Sequence, residues 1–252
     1  MKFNGMKVDD MSLYIEQRPQ HFGDVFGNKA IIESLKSFTK MVSEKRPHTY
    51  LFQGPSGCGK TTIARILAKL YGCNPADENV DFLELDAAKK RDVETMRSVL
   101  ADVQYRPMAS ESKVFLFDEV HELPRLSQET LLKSAEDTPE HVYFMLCTTD
   151  PQKIIKTLKN RCTVFQVESL TDDDMGELLE ASLTKQGVDI SDKVFDKLID
   201  VAEGSPRRAL VYLEQVLSMK DTEKQLNILL QVSAESEVIE GQAVEVIDGN
   251  DD

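Results

Sequence analysis

The run Gly54-Pro55-Ser56-Gly57-Cys58-Gly59-Lys60-Thr61 has the residue types of a phosphate cradle. It fits G-x-x-x-x-G-K-[ST], follows an apolar run and opens a helical pattern. Glycines let the backbone wrap an anion with no Cβ in the way. Successive N–H groups then face the anion, and the helix N-terminus adds partial positive charge. Lys60 is expected to reach the β- and γ-phosphates of ATP. The Thr61 hydroxyl is expected to ligate Mg²⁺, with Thr62 beside it on the first helical turn. Chance produces this pattern in a chain of such length with odds on the order of 1%.

A second signal is Val114-Phe115-Leu116-Phe117-Asp118-Glu119, an apolar strand ending in acids. Asp118 is expected to hold the magnesium and Glu119 to polarise the attacking water as general base. Many buried strands end in acids, so this pattern gains its force from the cradle upstream. The next strand ends in Cys147-Thr148-Thr149-Asp150. A hydroxyl there, Thr149 rather than Thr148, can orient the water or touch the γ-phosphate; the other reading is a hydroxyl capping a turn. Arginines stand in Asn160-Arg161-Cys162 and in Gly204-Ser205-Pro206-Arg207-Arg208. An arginine at the start of a lid helix can swing over the phosphates and sense ATP; the other reading is a solvated ion pair.

The elements that must position these residues alternate between strands and helices, as in a parallel α/β sheet. Strands are expected at Thr49–Gln53, Asp81–Leu85, Lys113–Phe117, Val142–Cys147 and Thr163–Val167. Ile63, Ile66, Leu67, Leu70 and Tyr71 share one face of a helix starting near Lys60. Another begins at Ser127 and closes before Pro139. After Glu168 the strand pattern stops. Thr171–Lys185, Asp192–Glu203 and Ser205–Met219 predict three helices, with Thr171 a good N-cap and Gly187 and Gly204 as stops. This places an α/β domain over residues 1–170 and a helical lid over 171–220. Residues 221–252 are expected to hold a short helix, Lys224–Val232, then an acidic, disordered tail.

Bulk composition narrows the class. Formal net charge is −14, and seven acidic residues with no Lys or Arg fall between Glu235 and Asp252, leaving −7 elsewhere. Such a chain does not coat nucleic acid indiscriminately, although a local basic patch can still hold DNA. No apolar run reaches the ~18–20 residues of a membrane span. The first residues carry no apolar signal region, and the four cysteines, Cys58, Cys73, Cys147 and Cys162, form no C-x-x-C pair. A cytoplasmic protein without a disulfide framework or zinc is expected.

Together these motifs resemble the AAA+ clamp-loader family, in particular the bacterial DNA polymerase III gamma/tau subunit. The resemblance runs from Tyr14 to Leu217. It is carried by Arg18-Pro19, Phe22, Val25 and Gly27-Asn28, which match an adenine-side motif, and by Leu85-Asp86-Ala87-Ala88 and Val103-Gln104-Tyr105. Asp118-Glu119-Val120-His121, Thr148–Lys153, Asn160-Arg161-Cys162 and Gly204-Ser205-Pro206-Arg207 complete it. The resemblance implies a P-loop AAA+ domain with a five-stranded parallel sheet, followed by a three-helix lid. It implies ATP hydrolysis with Mg²⁺ in a motor subunit that opens a sliding clamp and loads it on primer–template DNA. Arg18, Pro19, Val25 and Gly27 would sit on the adenine side, Thr149 would be sensor 1 and Arg207 the in-cis lid sensor. Arg161 would be an arginine finger entering a neighbouring subunit of a pentameric ring or spiral. Lys89, Lys90 and Arg91 are the candidates for contacts to the DNA phosphate backbone, with a solvated helix end as the other reading. The family's zinc module has no counterpart between the two acid- and lysine-bearing motifs, where only Cys73 occurs. Its collar domain has none in residues 221–252. Other readings are a helicase loader or branch-migration motor, which share the core motifs, and a non-catalytic replication scaffold. The scaffold is disfavoured by the intact Lys60, Thr61, Asp118 and Glu119.

Overall fold

The computed structural model describes residues 12–77, 80–89, 92–219 and 221–231. They fall into two compact units, one of Pro19–Ser169 and one joining residues 12–18 to the chain from Leu170 onward. The strands are β1 (Thr49–Gln53), β2 (Phe82–Asp86), β3 (Lys113–Asp118), β4 (Val142–Thr148) and β5 (Thr163–Gln166). The helices are α1 (Leu13–Glu16), α2 (Lys29–Thr39), α3 (Lys60–Leu70), α4 (Val93–Ala101), α5 (Arg125–Glu136), α6 (Lys156–Lys159), α7 (Asp172–Gln186), α8 (Asp192–Ala202) and α9 (Pro206–Leu217).

In the first unit all five strands are parallel, in the order β2-β3-β4-β1-β5. A parallel sheet covered on both faces needs strands that are apolar throughout, and β4 is buried at every position. Alternate residues serve opposite faces. Tyr50, Phe52, Leu116 and Met145 join Leu35, Ile63 and Leu67 of α2 and α3 in one core. Leu51, Phe115, Phe117 and Phe144 join Met96 of α4, Leu131 of α5 and Leu158 of α6 in the other. The sheet is thus sandwiched, and every strand delivers its C-terminal end to one edge. Buried Gln128 of α5 braces the connection after β4. Its Nε2 donates to Leu123 O at 3.0 Å and Lys153 O at 3.2 Å, and its Oε1 accepts from Ile155 N at 2.9 Å.

The expected strand β2 moves by one residue. Asp81 does not begin it; its carboxylate instead accepts the N–H groups of Met108, Ala109 and Ser110 at 2.7–3.0 Å, tying down the loop before β3. Helix α5 starts at Arg125, ahead of the expected Ser127, because Pro124 supplies a φ of −53° that leads into the first turn. Helices α2 and α4 are additional to the sequence expectation.

In the helical unit α7 is capped by Thr171, whose Oγ1 accepts from Asp174 N at 3.2 Å, and it stops at Gly187, φ 65°. Ser205 caps α9, with Pro206 in the first turn. Residues 12–18 pack here, a correction to an α/β domain beginning at residue 1. The segment is too short for a core of its own, and Glu214 of α9 anchors it, accepting from Ser12 Oγ at 2.7 Å and Leu13 N at 3.3 Å. Ser182 of α7 donates to Gln17 Oε1 at 2.6 Å. A further helix occupies residues 222–231. The expected end of that helix at Val232 and the acidic tail lie outside the described residues. No described helix is long and apolar enough to cross a membrane.

Asp81 supplies a stability test. Burial opposes its ionisation, but the three backbone donors and nearby Lys113 outweigh that and lower its pKa from the ordinary carboxylate range. A lowered folded pKa means the unfolded chain binds protons more readily, so this stability is present above about pH 4 and lost as pH falls through the folded pKa. Asp81→Asn should cost about 1–3 kcal/mol in denaturant unfolding at pH 7. The gap to wild type should narrow in acid.

Candidate active site

The loop between β1 and α3 begins at Gly54, where the chain leaves the sheet with φ 154°. A Cβ at this position would stand 2.0 Å from the carbonyl oxygen of Val167, just after β5. Only glycine permits that approach. Gly54 N donates to Thr148 O at 3.2 Å and Val167 N to Gln53 O at 2.8 Å, so the ends of β4, β1 and β5 are tied at the loop's base. Cys58 fills the space beneath the loop, its Sγ 3.8 Å from Val167 O, and burial pushes its thiol pKa up. Gly59 precedes α3 with φ 104°, a left-handed turn that frees the first N–H groups of the helix to face the loop's concave side.

Lys60 is buried, and its Nζ donates to Gly54 O at 2.9 Å and Pro55 O at 2.7 Å. The loop's own carbonyls therefore hold the ammonium at the mouth of the cradle. On the same turn, Thr61 Oγ1 donates to Asp118 Oδ2 at 3.0 Å. A hydroxyl and a carboxylate this close, next to a loop of backbone donors and a lysine, form a donor set that suits Mg²⁺ together with phosphate oxygens. Thr62, the next residue of α3, is partly buried. The residues present therefore fit a magnesium nucleotide.

Glu119 follows in a left-handed conformation, φ 50°, which is uncommon outside glycine and turns its side chain away from the strand line. Thr149 Oγ1 at the end of β4 donates to Glu119 Oε2 at 3.0 Å. Thr148 points elsewhere; it is fully buried and its Oγ1 accepts from Asp150 N at 3.1 Å. Of the two threonines, Thr149 is the one that touches the acid. His121, which motif spacing did not single out, also reaches Glu119 Oε2, at 3.3 Å from Nδ1. In the sequence it stands within the Asp118-Glu119-Val120-His121 run that carries the family resemblance, with no role of its own.

The other candidates are distributed. Val25 packs on the core, and Asn28, next to Gly27, clasps Glu168: Nδ2 donates to Glu168 O at 3.0 Å and Glu168 N to Oδ1 at 2.9 Å. Val25 packs on the cluster that includes Val167, and Gly27 adjoins the Asn28 that holds Glu168. Pro19 opens this unit and Arg18 closes the N-terminal segment of the helical unit. Arg207, at the start of α9, stands over the Tyr14 ring at 5.6 Å. Arg161 is not brought to the cradle. It precedes β5, whose Thr163 pairs with Tyr50, whereas Gly54 follows the far end of β1. The separation along the sheet is about 13 Å. Its Nη2 instead meets Glu136 at 3.3 Å, and this pair is exposed. Lys89 pairs with Asp86 at 3.0 Å; Lys90 and Arg91 lie outside the described residues.

Comparison with known proteins follows the same lines. The family model described as DNA polymerase III, delta subunit matches residues 27–171. The DNA polymerase III subunit tau/gamma of Haemophilus influenzae is 37% identical over 229 residues, covering 84% of this chain and 33% of that protein. Subunit gamma of Buchnera aphidicola subsp. Schizaphis graminum is 35% identical over 235 residues, covering 84% of this chain and 64% of that protein. Subunit tau of Escherichia coli is 37% identical over 221 residues, 81% of this chain and 34% of its own. The chain thus spans between about a third and two thirds of these relatives' lengths. Among solved structures, the Thermotoga maritima RuvB Holliday junction branch migration motor superposes with a TM-score of 0.66 at 22% identity, over 86% of this chain and 72% of that one. At that identity the likeness concerns the fold alone.

The contact at Gly54 predicts that Gly54→Ala forces β1 and β5 apart. Its stability loss should exceed about 2 kcal/mol, as strain and overlap at a special backbone position combine. Thermal unfolding of the variant against wild type measures it.

Proposed function

The chain belongs to the family described as DNA polymerase III, delta subunit, and on that premise we propose that it is an ATP-hydrolysing motor subunit of a sliding-clamp loader. The observation that carries this is the assembled acid–hydroxyl pair set. Thr61 lies 3.0 Å from Asp118, and Thr149 lies 3.0 Å from Glu119, both beside a loop that already holds Lys60. A scaffold subunit has no need to keep all of these.

In this reading the loop amides and Lys60 bind the β- and γ-phosphates, and Thr61 and Asp118 hold Mg²⁺. An ion held by these two residues would supply positive charge against the charge that develops on the transferring phosphoryl group. Glu119 accepts a proton from the attacking water at Oε1, while Thr149 fixes Oε2. Arg18, Pro19, Val25 and Gly27 border the adenine. Arg207 is the residue through which the helical unit responds to nucleotide. Arg161 lies at the far end of β5 from its own loop, which supports action on a neighbouring subunit's nucleotide, as a charge that completes the site in trans. Lys89, Lys90 and Arg91 remain the candidates for backbone contacts to primer–template DNA. The other loader subunits and the clamp are the partners this function requires.

The test measures ATP turnover with primed DNA and a bacterial sliding clamp. Wild-type turnover should rise when both are added. Arg161→Ala and Glu119→Gln should each fall about 10³-fold alone. Mixed together they should recover activity, because each subunit supplies what the other lacks. Full activity of Arg161→Ala alone, or no stimulation by clamp and DNA, contradicts the proposal.

A further inference from the structure

The general base of this site is held by two side chains, and only one of them belongs to the nucleotide motifs. Glu119 Oε2 takes the Thr149 hydroxyl at 3.0 Å and lies 3.3 Å from His121 Nδ1. The His121 ring is itself fixed on its other side, where Nε2 meets Glu122 Oε1 at 3.2 Å. Thr148 Oγ1, fully buried on β4, stands 3.2 Å from Nδ1. The imidazole is only 10% exposed, against 33% for Glu119. The ring is therefore a seated part of the fold, and the carboxylate beside it is the looser partner. Both contacts fall on the same carboxylate oxygen, Oε2.

We propose that His121 is a positioning residue for Glu119: its ring, seated with Nδ1 between Thr148 Oγ1 and Glu119 Oε2, and the Thr149 hydroxyl together confine Oε2, setting the direction in which the base receives its proton. The left-handed backbone at Glu119, φ 50°, makes the clamp necessary, because a side chain leaving a turn has no strand neighbours to fix its rotamer. This inference rests on the reading of the site as an ATPase. It requires no contact between His121 and nucleotide, so its loss should lower kcat and leave KM for ATP alone.

The experiment compares His121→Ala, His121→Asn and His121→Gln in full-length protein, by steady-state turnover of MgATP. An asparagine amide nitrogen overlays Nδ1, and a glutamine amide nitrogen overlays Nε2. Asparagine should therefore restore most of the activity, whereas alanine and glutamine should lose about 10- to 100-fold in kcat, the usual cost of a base misplaced by about 1 Å. KM should stay within twofold in all three. If asparagine and glutamine behave alike, or if KM rises as kcat falls, His121 does not position the base. Should alanine fail to fold, the asparagine–glutamine contrast still decides. Wild-type protein separates the two levels: absence of turnover there sinks the ATPase reading, whereas turnover there with like-behaving variants sinks only the role of His121.

Discussion

The contact on which the site depends is between two backbones, Gly54 and Val167. Their approach leaves no room for even one methyl group, since a Cβ would fall 2.0 Å from the Val167 oxygen. This pins the cradle to the chain that leaves β5, while the Gly54 amide pins it to the end of β4. The cradle is thus suspended from three strand ends rather than carried by a free loop. Asn28 extends the arrangement by clasping Glu168, one residue further on. A backbone held this way keeps its amides aligned without ligand, which lowers the ordering cost of binding an anion.

The same sheet edge sorts the polar side chains. Central β3 and β4 end in Asp118 and Thr148, and the residues just beyond, Glu119 and Thr149, touch each other. Asp118 faces α3 through Thr61, and Glu119 faces β4 through Thr149, so adjacent acids serve different neighbours. The reversed backbone at Glu119 separates them, because on a straight strand consecutive side chains simply alternate between faces. Two carboxylates that are neighbours in sequence are thereby turned to different partners, Thr61 and Thr149. Arg161, before the start of β5, stands at the other end of the sheet from these acids.

Much of this was legible because the sheet is buried on both faces. Continuous apolar runs betray such strands, and Thr49–Gln53 forms as expected to the residue. The glycine–lysine–threonine spacing likewise announced the cradle. Strand order was not legible, since β1 lies between β4 and β5 only through long-range pairing. Asp81 read as the first residue of a strand, yet its carboxylate binds amides 27 to 29 residues away. Residues 12–18 read as part of the α/β domain for the same reason: the Glu214 that holds them is about 200 positions distant in sequence. His121 stands within a run that carries the family resemblance but had no legible role there, because its partners, Glu119, Glu122 and Thr148, converge only when a turn and a strand end are brought together.

The central claim is that glycine amides, Lys60, Thr61 and Asp118 together make one magnesium–nucleotide site. Isothermal titration of ATP into the folded chain, with and without Mg²⁺, tests it most directly. The account predicts saturable binding of one nucleotide per chain that tightens with Mg²⁺ and is lost in Lys60→Ala. Folded wild-type protein that takes up no nucleotide with Mg²⁺ present, or takes it up equally well without Lys60, would contradict it.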